Sequence, residues 1–132
     1  MASGNRRPRT WGFRLSKSDV AVLLVTVALT ALFWNATAGY TFLGLLVVLH
    51  FFLFCNIFRI PRKPELIWAA CFVAICVACV LLNRMTPLNV TLAVLPVTLA
   101  ILLWSIRLPT YHGIFAKRIN PRLDDYLAAR VP

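Results

Sequence analysis

The sequence predicts an all-α integral membrane protein with four transmembrane helices arranged as an up-down bundle. Four long apolar runs fill most of the chain, at residues 20–38, 40–60, 66–82 and 88–106. Each run is close to the roughly 20 residues that a helix needs to cross the bilayer core. Hydrophobic residues make up 61% of the chain and charged residues only 14%, which excludes an ordinary soluble domain. Because the runs are continuous rather than alternating, helices are favoured over a barrel.

The positive charge is concentrated on one side of the predicted membrane. The chain carries 14 Lys and Arg residues against four acids, for a net charge of +10. Every basic residue except Arg84 lies before the first run, at the end of the second run or between it and the third, or after the fourth. Cytoplasmic segments carry such an excess, so both termini are predicted to be cytoplasmic. The residues expected to contact the membrane surface or a partner are Arg6, Arg7, Arg9, Arg14, Lys17, Arg59, Arg62, Lys63, Lys117, Arg118 and Arg122.

Three regions follow from this pattern. Residues 1–17 form a basic N-terminal segment, residues 18–106 a four-helix transmembrane region, and residues 107–132 a basic tail. Ser18 or Asp19 is expected to cap the first helix, because both side chains accept hydrogen bonds from backbone amides. The stretch from Asn35 to Gly39, where the first run gives way to the second, has residues typical of a tight turn, so these helices should be antiparallel neighbours.

The other connections between runs are also short. Pro61 and Pro64 stiffen the second connection, and Pro64 with Glu65 suits the first turn of the third helix. Residues 83–87 form a second short hairpin on the external side. Pro96 lies in the middle of the fourth run, where its missing N–H group predicts a kink.

The tail contains a helix-start pattern, an Asn-Pro pair at residues 120–121. Three apolar side chains then recur on one helical face, at Leu123, Tyr126 and Leu127. We predict a short amphipathic helix near residues 121–130. A helix of this length is marginal alone, so it is expected to dock on the inner leaflet, on a partner or on the transmembrane helices.

His50 lies near the middle of the second run, and ionisable residues at membrane depth are often functional. In the first of three hypotheses, its neutral imidazole hydrogen-bonds a hydroxyl on another helix, with Thr26, Thr30 and Thr98 as candidates. In the second, it ligates haem or a metal, although the other histidine, His112, lies beyond the fourth run. In the third, it binds a ligand or relays protons.

Small and hydroxyl-bearing residues recur at helical spacing. Ala70, Ala74 and Ala78 recur every four residues, which allows another helix to approach closely. Hydroxyl groups recur along the first and fourth runs, at Thr26, Thr30, Thr91, Thr98 and Ser105. We interpret both patterns as helix-packing surfaces. The four cysteines lie inside runs and are interpreted as small apolar residues, at Cys55, Cys71, Cys76 and Cys79.

The runs contain no acidic residue, and the chain carries no phosphate-loop, zinc or nucleophile–base motif. We therefore expect a non-catalytic accessory or scaffold subunit of a larger membrane complex, without a cofactor or metal. The alternative is a small homo-oligomeric channel or transporter using His50 and the hydroxyl stripes, and a haem-binding membrane subunit is the third hypothesis. Expected partners are anionic headgroups, other membrane subunits or a second copy, rather than nucleic acid. The expected location is a bacterial inner membrane.

Overall fold

The computed structural model describes residues 10–128, of which 70% are helical, with no strand among them. The helices are α1 (Lys17–Phe33), α2 (Thr41–Phe52), α3 (Arg62–Leu81), α4 (Pro87–Ile106), α5 (Ala116–Ile119) and α6 (Leu123–Leu127). A π-helical segment, Leu53–Ile57, extends α2. The all-α prediction is therefore confirmed. Three arginines predicted to contact the membrane surface lie outside the described residues, namely Arg6, Arg7 and Arg9.

The start of α1 is capped by Ser16, and the prediction that Ser18 or Asp19 is the cap is wrong. Ser16 Oγ accepts a hydrogen bond from Asp19 N at 3.2 Å, and Asp19 Oδ2 accepts one from Ser16 N at 2.8 Å. This reciprocal pair is a capping box, which satisfies two backbone donors that the helix leaves open. The helix ends at Phe33, before residue 38, because the turn that follows passes through Gly39 at a φ of +82°.

Removal of the Ser16 hydroxyl should loosen the start of α1. Ser16→Ala loses the bond to Asp19 N, and such a loss costs about 1 kcal/mol. Hydrogen exchange of the first-turn amides, measured in detergent, should therefore speed up roughly fivefold. Ser18→Ala is the control, since Ser18 is an exposed residue of the same turn. An equal effect of the two substitutions would contradict the capping role of Ser16.

The end of α2 is distorted in a way that the sequence pattern did not indicate. Across Leu53–Ile57 the backbone hydrogen bonds join residues five apart instead of four. Arg59 then adopts a left-handed conformation with a φ of +49°. The helical part of the predicted 40–60 run consequently ends at Ile57. Such π-helical turns occur frequently at functional sites.

Within the described residues, α3 and α4 are the two helices long and apolar enough to cross a membrane. Each has 20 residues, and their mean hydropathies are 2.3 and 2.0. The shorter α1 has 17 residues, and α2 with its π-helical extension covers Thr41–Ile57. Four transmembrane helices are therefore not confirmed. Only 11% of the apolar window of α3 and 28% of that of α4 is buried, whereas a core helix of a soluble protein is mostly buried.

The helices pack chiefly in two pairs. The main contacts join α1 to α2 and α3 to α4, and a smaller contact joins α2 to α4. Helix α1 has one buried residue, Thr30, so it flanks α2 without entering a common core. The core lies between α2, α3 and α4, and its buried residues are Leu46, Phe54, Ile60, Trp68, Val90, Val94 and Ile101.

One end of the structure gathers three segments that are distant in sequence, and we call this end, made of residues 10–17, 58–65 and 107–128, the basic end. The π-helical segment is the link between them. Its Asn56 carbonyl accepts from Arg14 N at 3.1 Å, and its Ile57 carbonyl accepts from Ile114 N at 2.9 Å. The distortion of α2 therefore anchors both the N-terminal segment and the tail.

The opposite end is formed by the two short hairpins. Gly39 of the first hairpin lies between Trp34 and Pro87, the first residue of α4. Arg84 is the one basic residue here among residues 10–128, and all the others belong to the basic end. The charge asymmetry of the sequence is thus an asymmetry between the two ends of the fold.

Candidate functional site

His50 belongs to an aromatic cluster between α2 and α3. Its ring stacks on Trp68, with centroids 4.6 Å apart and planes at 21°, and Phe54 stands edge-on to it at 6.1 Å. Trp68 also stacks on Phe72 at 5.3 Å. Each such pair contributes about 0.5–1.5 kcal/mol beyond the area that it buries. The cluster therefore holds the imidazole in one orientation.

The hydrogen bonds of His50 are not those expected from the sequence. Its Nδ1 lies 2.8 Å from the Leu46 carbonyl of its own helix. The Thr98 hydroxyl accepts from Trp68 Nε1 at 3.0 Å and donates to Val94 O at 3.1 Å, so it pairs with Trp68 instead of His50. Because a carbonyl only accepts, His50 Nδ1 is the donor of this bond. Trp68 is only 4% exposed.

The hydroxyl stripes bond mainly within their own helices. Thr26, Thr30 and Thr91 each donate to the carbonyl four residues earlier, at 2.8, 2.8 and 2.7 Å. Thr41 Oγ1 adds a long bond of 3.4 Å to Thr30 O, which joins α2 to α1. Ser105 is buried, and its Oγ has no hydrogen-bond partner among the described residues. These residues thus contribute to packing chiefly as small side chains.

The alanine stripe of α3 faces outward. Ala70, Ala74 and Ala78 are all exposed. The residues of α3 that pack against the core lie on another face, at Phe72, Ile75, Cys76 and Cys79. Close helix contact at the alanine stripe stays a prediction. Because the stripe is exposed here, the contacting helix would have to come from another chain.

The basic residues of the described chain that we expected at a membrane or partner surface all lie at the basic end. Most are exposed, at Arg14, Lys17, Arg62, Lys63, Lys117, Arg118 and Arg122. Two of them also hold the N-terminal segment in place. Arg59 Nη1 donates to Thr10 O at 2.8 Å, and Lys117 Nζ lies 5.1 Å from the centroid of the Trp11 ring.

The C-terminal tail docks on the helices, which is one of the three sites considered for it. Ile114 N donates to Ile57 O at 2.9 Å, and Asn120 shapes the tail itself, since its Nδ2 donates to Pro109 O and to Tyr111 O, both at 2.8 Å. Its Oδ1 accepts from Arg122 N at 2.9 Å, and α6 begins only at Leu123. Asn120 therefore folds the tail back on itself and does not cap the helix. The sequence pattern did not indicate the preceding helix α5.

Tyr111 should make the docked tail sensitive to alkaline pH. It is buried, its hydroxyl donates to Ile114 O at 2.8 Å, and burial raises the pKa of Tyr111 to about 12. A raised pKa means that the neutral phenol stabilises the fold fully below its ordinary pKa of about 10, and that this contribution is lost as the pH rises through 12.

We expect thermal stability in detergent to fall between pH 10 and pH 12, and Tyr111→Phe to lack most of this fall. Tyr40→Phe, at the opposite end and exposed, is the matched control and should keep the alkaline loss. A Tyr111→Phe protein with the same pH dependence as the unmodified chain would show that another group is responsible.

A cleft of about 750 Å³ opens at the basic end, between the end of α2, the start of α3 and the tail. Its wall includes Phe51, Cys55, Arg59, Arg62, Glu65 and His112. Inside it, Cys55 Sγ lies 3.9 Å from Glu65 Oε1, and His112 stacks on Tyr126 with centroids 4.7 Å apart. The cleft therefore combines two guanidinium groups with one carboxylate and an apolar wall.

Sequence reasoning assigned Arg59 and Arg62 to a surface but missed the cleft. One available signal was the Arg-Ile-Pro-Arg stretch at residues 59–62, because a proline between two arginines holds both cations on a rigid connection. The contribution of residues 110–126 had no such signal, since it depends on how the tail folds back.

The two histidines belong to separate groups of side chains, His50 stacking on Trp68 and His112 on Tyr126. Among residues 10–128 no three His, Cys, Asp or Glu side chains are grouped so that they could hold a metal ion. Comparison of the chain with protein-family models, curated proteins and solved structures finds no match. The two candidate sites of the described chain are therefore the packed aromatic cluster around His50 and the charged cleft at the basic end.

Proposed function

We propose that this protein is a membrane-embedded, non-catalytic accessory or scaffold subunit of a larger membrane complex. The observation that supports this proposal best is the exposure of apolar helix faces in the single chain. Leu32 of α1 and Leu81 of α3 are largely exposed in the isolated fold, at 74% and 80%. Apolar helices of other subunits, together with lipid, would cover such faces.

The proposal includes four spans, with α1 and the extended α2 crossing the membrane beside α3 and α4. A helix of 17 residues such as α1 is about 25 Å long, somewhat short of the ~30 Å hydrocarbon core. Flanking residues can make up the difference, because Lys17 can extend its ammonium to the headgroups and Trp34 suits the interface. The short hairpins favour antiparallel neighbours.

The proposed orientation places the basic end in the cytoplasm, in a bacterial inner membrane. The separation of Arg84 from the other described cations supports it. A reporter enzyme that is active only outside the membrane, fused to the C terminus, should be silent, whereas the same reporter inserted after Arg84 should be active. Activity at the C terminus would overturn this orientation.

Purification in mild detergent tests the subunit proposal. The tagged full-length chain, expressed at its natural level, should carry larger membrane proteins with it in fixed ratio, identified by mass spectrometry. Ala74→Leu should weaken this association by blocking close helix approach at the exposed stripe. Ala100→Leu, on the exposed face of α4, is the control. Recovery of this chain alone, as a monomer or as a homo-oligomer, would overturn the proposal.

A channel or transporter is the second candidate, and one observation favours it. A groove of about 320 Å³ lies between α1 and α2, and three hydroxyl-bearing residues line it, Thr26, Thr30 and Thr41. His50→Ala separates the candidates: the subunit proposal expects assembly and association to persist, whereas loss of solute flux in proteoliposomes with assembly preserved would favour transport.

A further inference from the structure

The cleft at the basic end has an excess of positive charge. Arg59 and Arg62 both line it, and Glu65 is the acid among its lining residues. That carboxylate already accepts the thiol of Cys55 at 3.9 Å. Arg59 Nη1 donates to Thr10 O at 2.8 Å and to Thr10 Oγ1 at 3.4 Å, and the other three of the five guanidinium N–H groups belong to Nε and Nη2. Two arginines among the lining residues suit a phosphate, which guanidinium groups bind through paired N–H donors.

The backbone that carries these arginines is held by local structure. Arg59 directly follows Phe58, the C-cap of the π-helical segment, and its left-handed φ of +49° is the conformation in which helices commonly end. Pro61 then fixes the chain in an extended conformation directly before α3, with a φ of −59°. The π-helical segment is itself bonded to Arg14 N and Ile114 N, so the connection that carries both arginines is anchored to the N-terminal segment and to the tail.

The cleft also has an apolar side that continues onto the outer surface of α2. Phe51 lines it and is 55% exposed, one turn before Cys55. If α2 crosses the membrane, its end lies at the level of the headgroups, with Phe51 on the hydrocarbon side and the arginines on the aqueous side. The volume of about 750 Å³ is within the range of small-molecule sites.

We propose that this cleft binds the phosphate-bearing headgroup of an anionic membrane lipid, with Arg62 and Arg59 on the phosphate and an acyl chain along Phe51. Basic pockets between helices at the cytoplasmic face take such headgroups. This inference rests on the membrane insertion of the proposed function, but it needs no partner subunit. Its failure is therefore distinguishable from failure of the subunit proposal.

Native mass spectrometry measures the headgroup preference. The purified full-length chain is released from nanodiscs of mixed phosphatidylglycerol and phosphatidylcholine, and the lipid that stays bound is identified. Phosphatidylglycerol should be retained in preference to phosphatidylcholine, and Arg62→Gln should reduce that preference about fivefold. Arg118→Gln removes an equal charge from the same end, outside the cleft, and should change it little. Equal retention by the unmodified chain and by Arg62→Gln, or equal loss in Arg118→Gln, would overturn the proposal.

Two further experiments sharpen the test. One distinguishes a shaped site from general surface charge, and the other distinguishes a bound lipid from a free anion. Thr110→Phe fills the cleft without removing a charge and should also lower phosphatidylglycerol retention. Unchanged retention in this variant, with its fold intact by circular dichroism, would contradict a site in the cleft. Millimolar inorganic phosphate should leave the retained lipid in place. Complete displacement by inorganic phosphate would assign the cleft to a free anion and overturn the lipid proposal.

Discussion

Gly113→Ala is expected to detach the C-terminal tail from the basic end. Gly113 is buried, and a Cβ added there would lie 2.3 Å from Phe58 O and 2.6 Å from Phe58 C. These are backbone atoms at the end of the π-helical turn, so they have little freedom to move. Overpacking of this kind costs about 1–3 kcal/mol, which is large for a tail held by a few bonds. Hydrogen exchange over residues 110–127, in detergent, should increase sharply.

The matched control for this substitution is Gly44→Ala. Gly44 lies within α2, and a Cβ added there meets no atom within 4 Å. Because alanine is the better helix former by about 1 kcal/mol, this variant should be neutral or slightly more stable, with the tail protected. Unchanged protection of the tail in Gly113→Ala would show that it does not approach Phe58 as closely as the structure has it.

Trp68→Ala should cause the largest loss of stability of any single substitution described here. The side chain stacks on His50 and Phe72, and its Nε1 donates to Thr98 Oγ1 at 3.0 Å. Truncation of a buried tryptophan leaves a cavity and costs about 3–5 kcal/mol. We therefore expect a fall of roughly 10 °C or more in the Tm measured in detergent. The near-ultraviolet circular dichroism of the aromatic cluster should change as well.

Trp104→Ala is the comparison for this prediction, because Trp104 is 52% exposed on α4. This substitution truncates an exposed tryptophan and leaves no cavity in the core. The Tm should therefore fall by only a small fraction of the fall expected for Trp68→Ala. Similar losses for the two variants would mean that Trp68 does not join α2 to α3 as described.

The ends of the helices were predictable where they are set by neighbouring residues in the sequence. The fourth predicted run began at residue 88 and α4 begins at Pro87, because Thr86 accepts from Asn89 N and the proline suits the first turn. The second run was misjudged at its end. Nothing local at residues 53–57 indicates a π-helix, which is stabilised by the segments that bind its carbonyls.

The candidate site was predictable only in part for a related reason. His50 was recognisable because an ionisable group stands out in an apolar run. Its neighbour Trp68 was not, since the stacking joins two helices through packing that no spacing reveals. Likewise, Arg62 was expected at a surface, and its position in a cleft with His112 depends on the docked tail.

The amino-acid sequence by itself determined that the chain is helical, near which residues its hairpins fall and that all the described Lys and Arg residues but Arg84 lie at one end. Those properties depend on residues close together in the chain, whose hydrophobicity, capping and charge act locally. The tertiary structure alone decided that α1 is left outside the core, that Trp68 shields His50, and that the tail closes over the end of α2 to form a cleft. Each of these depends on many small contacts between distant segments, whose sum is settled only when the side chains are packed together.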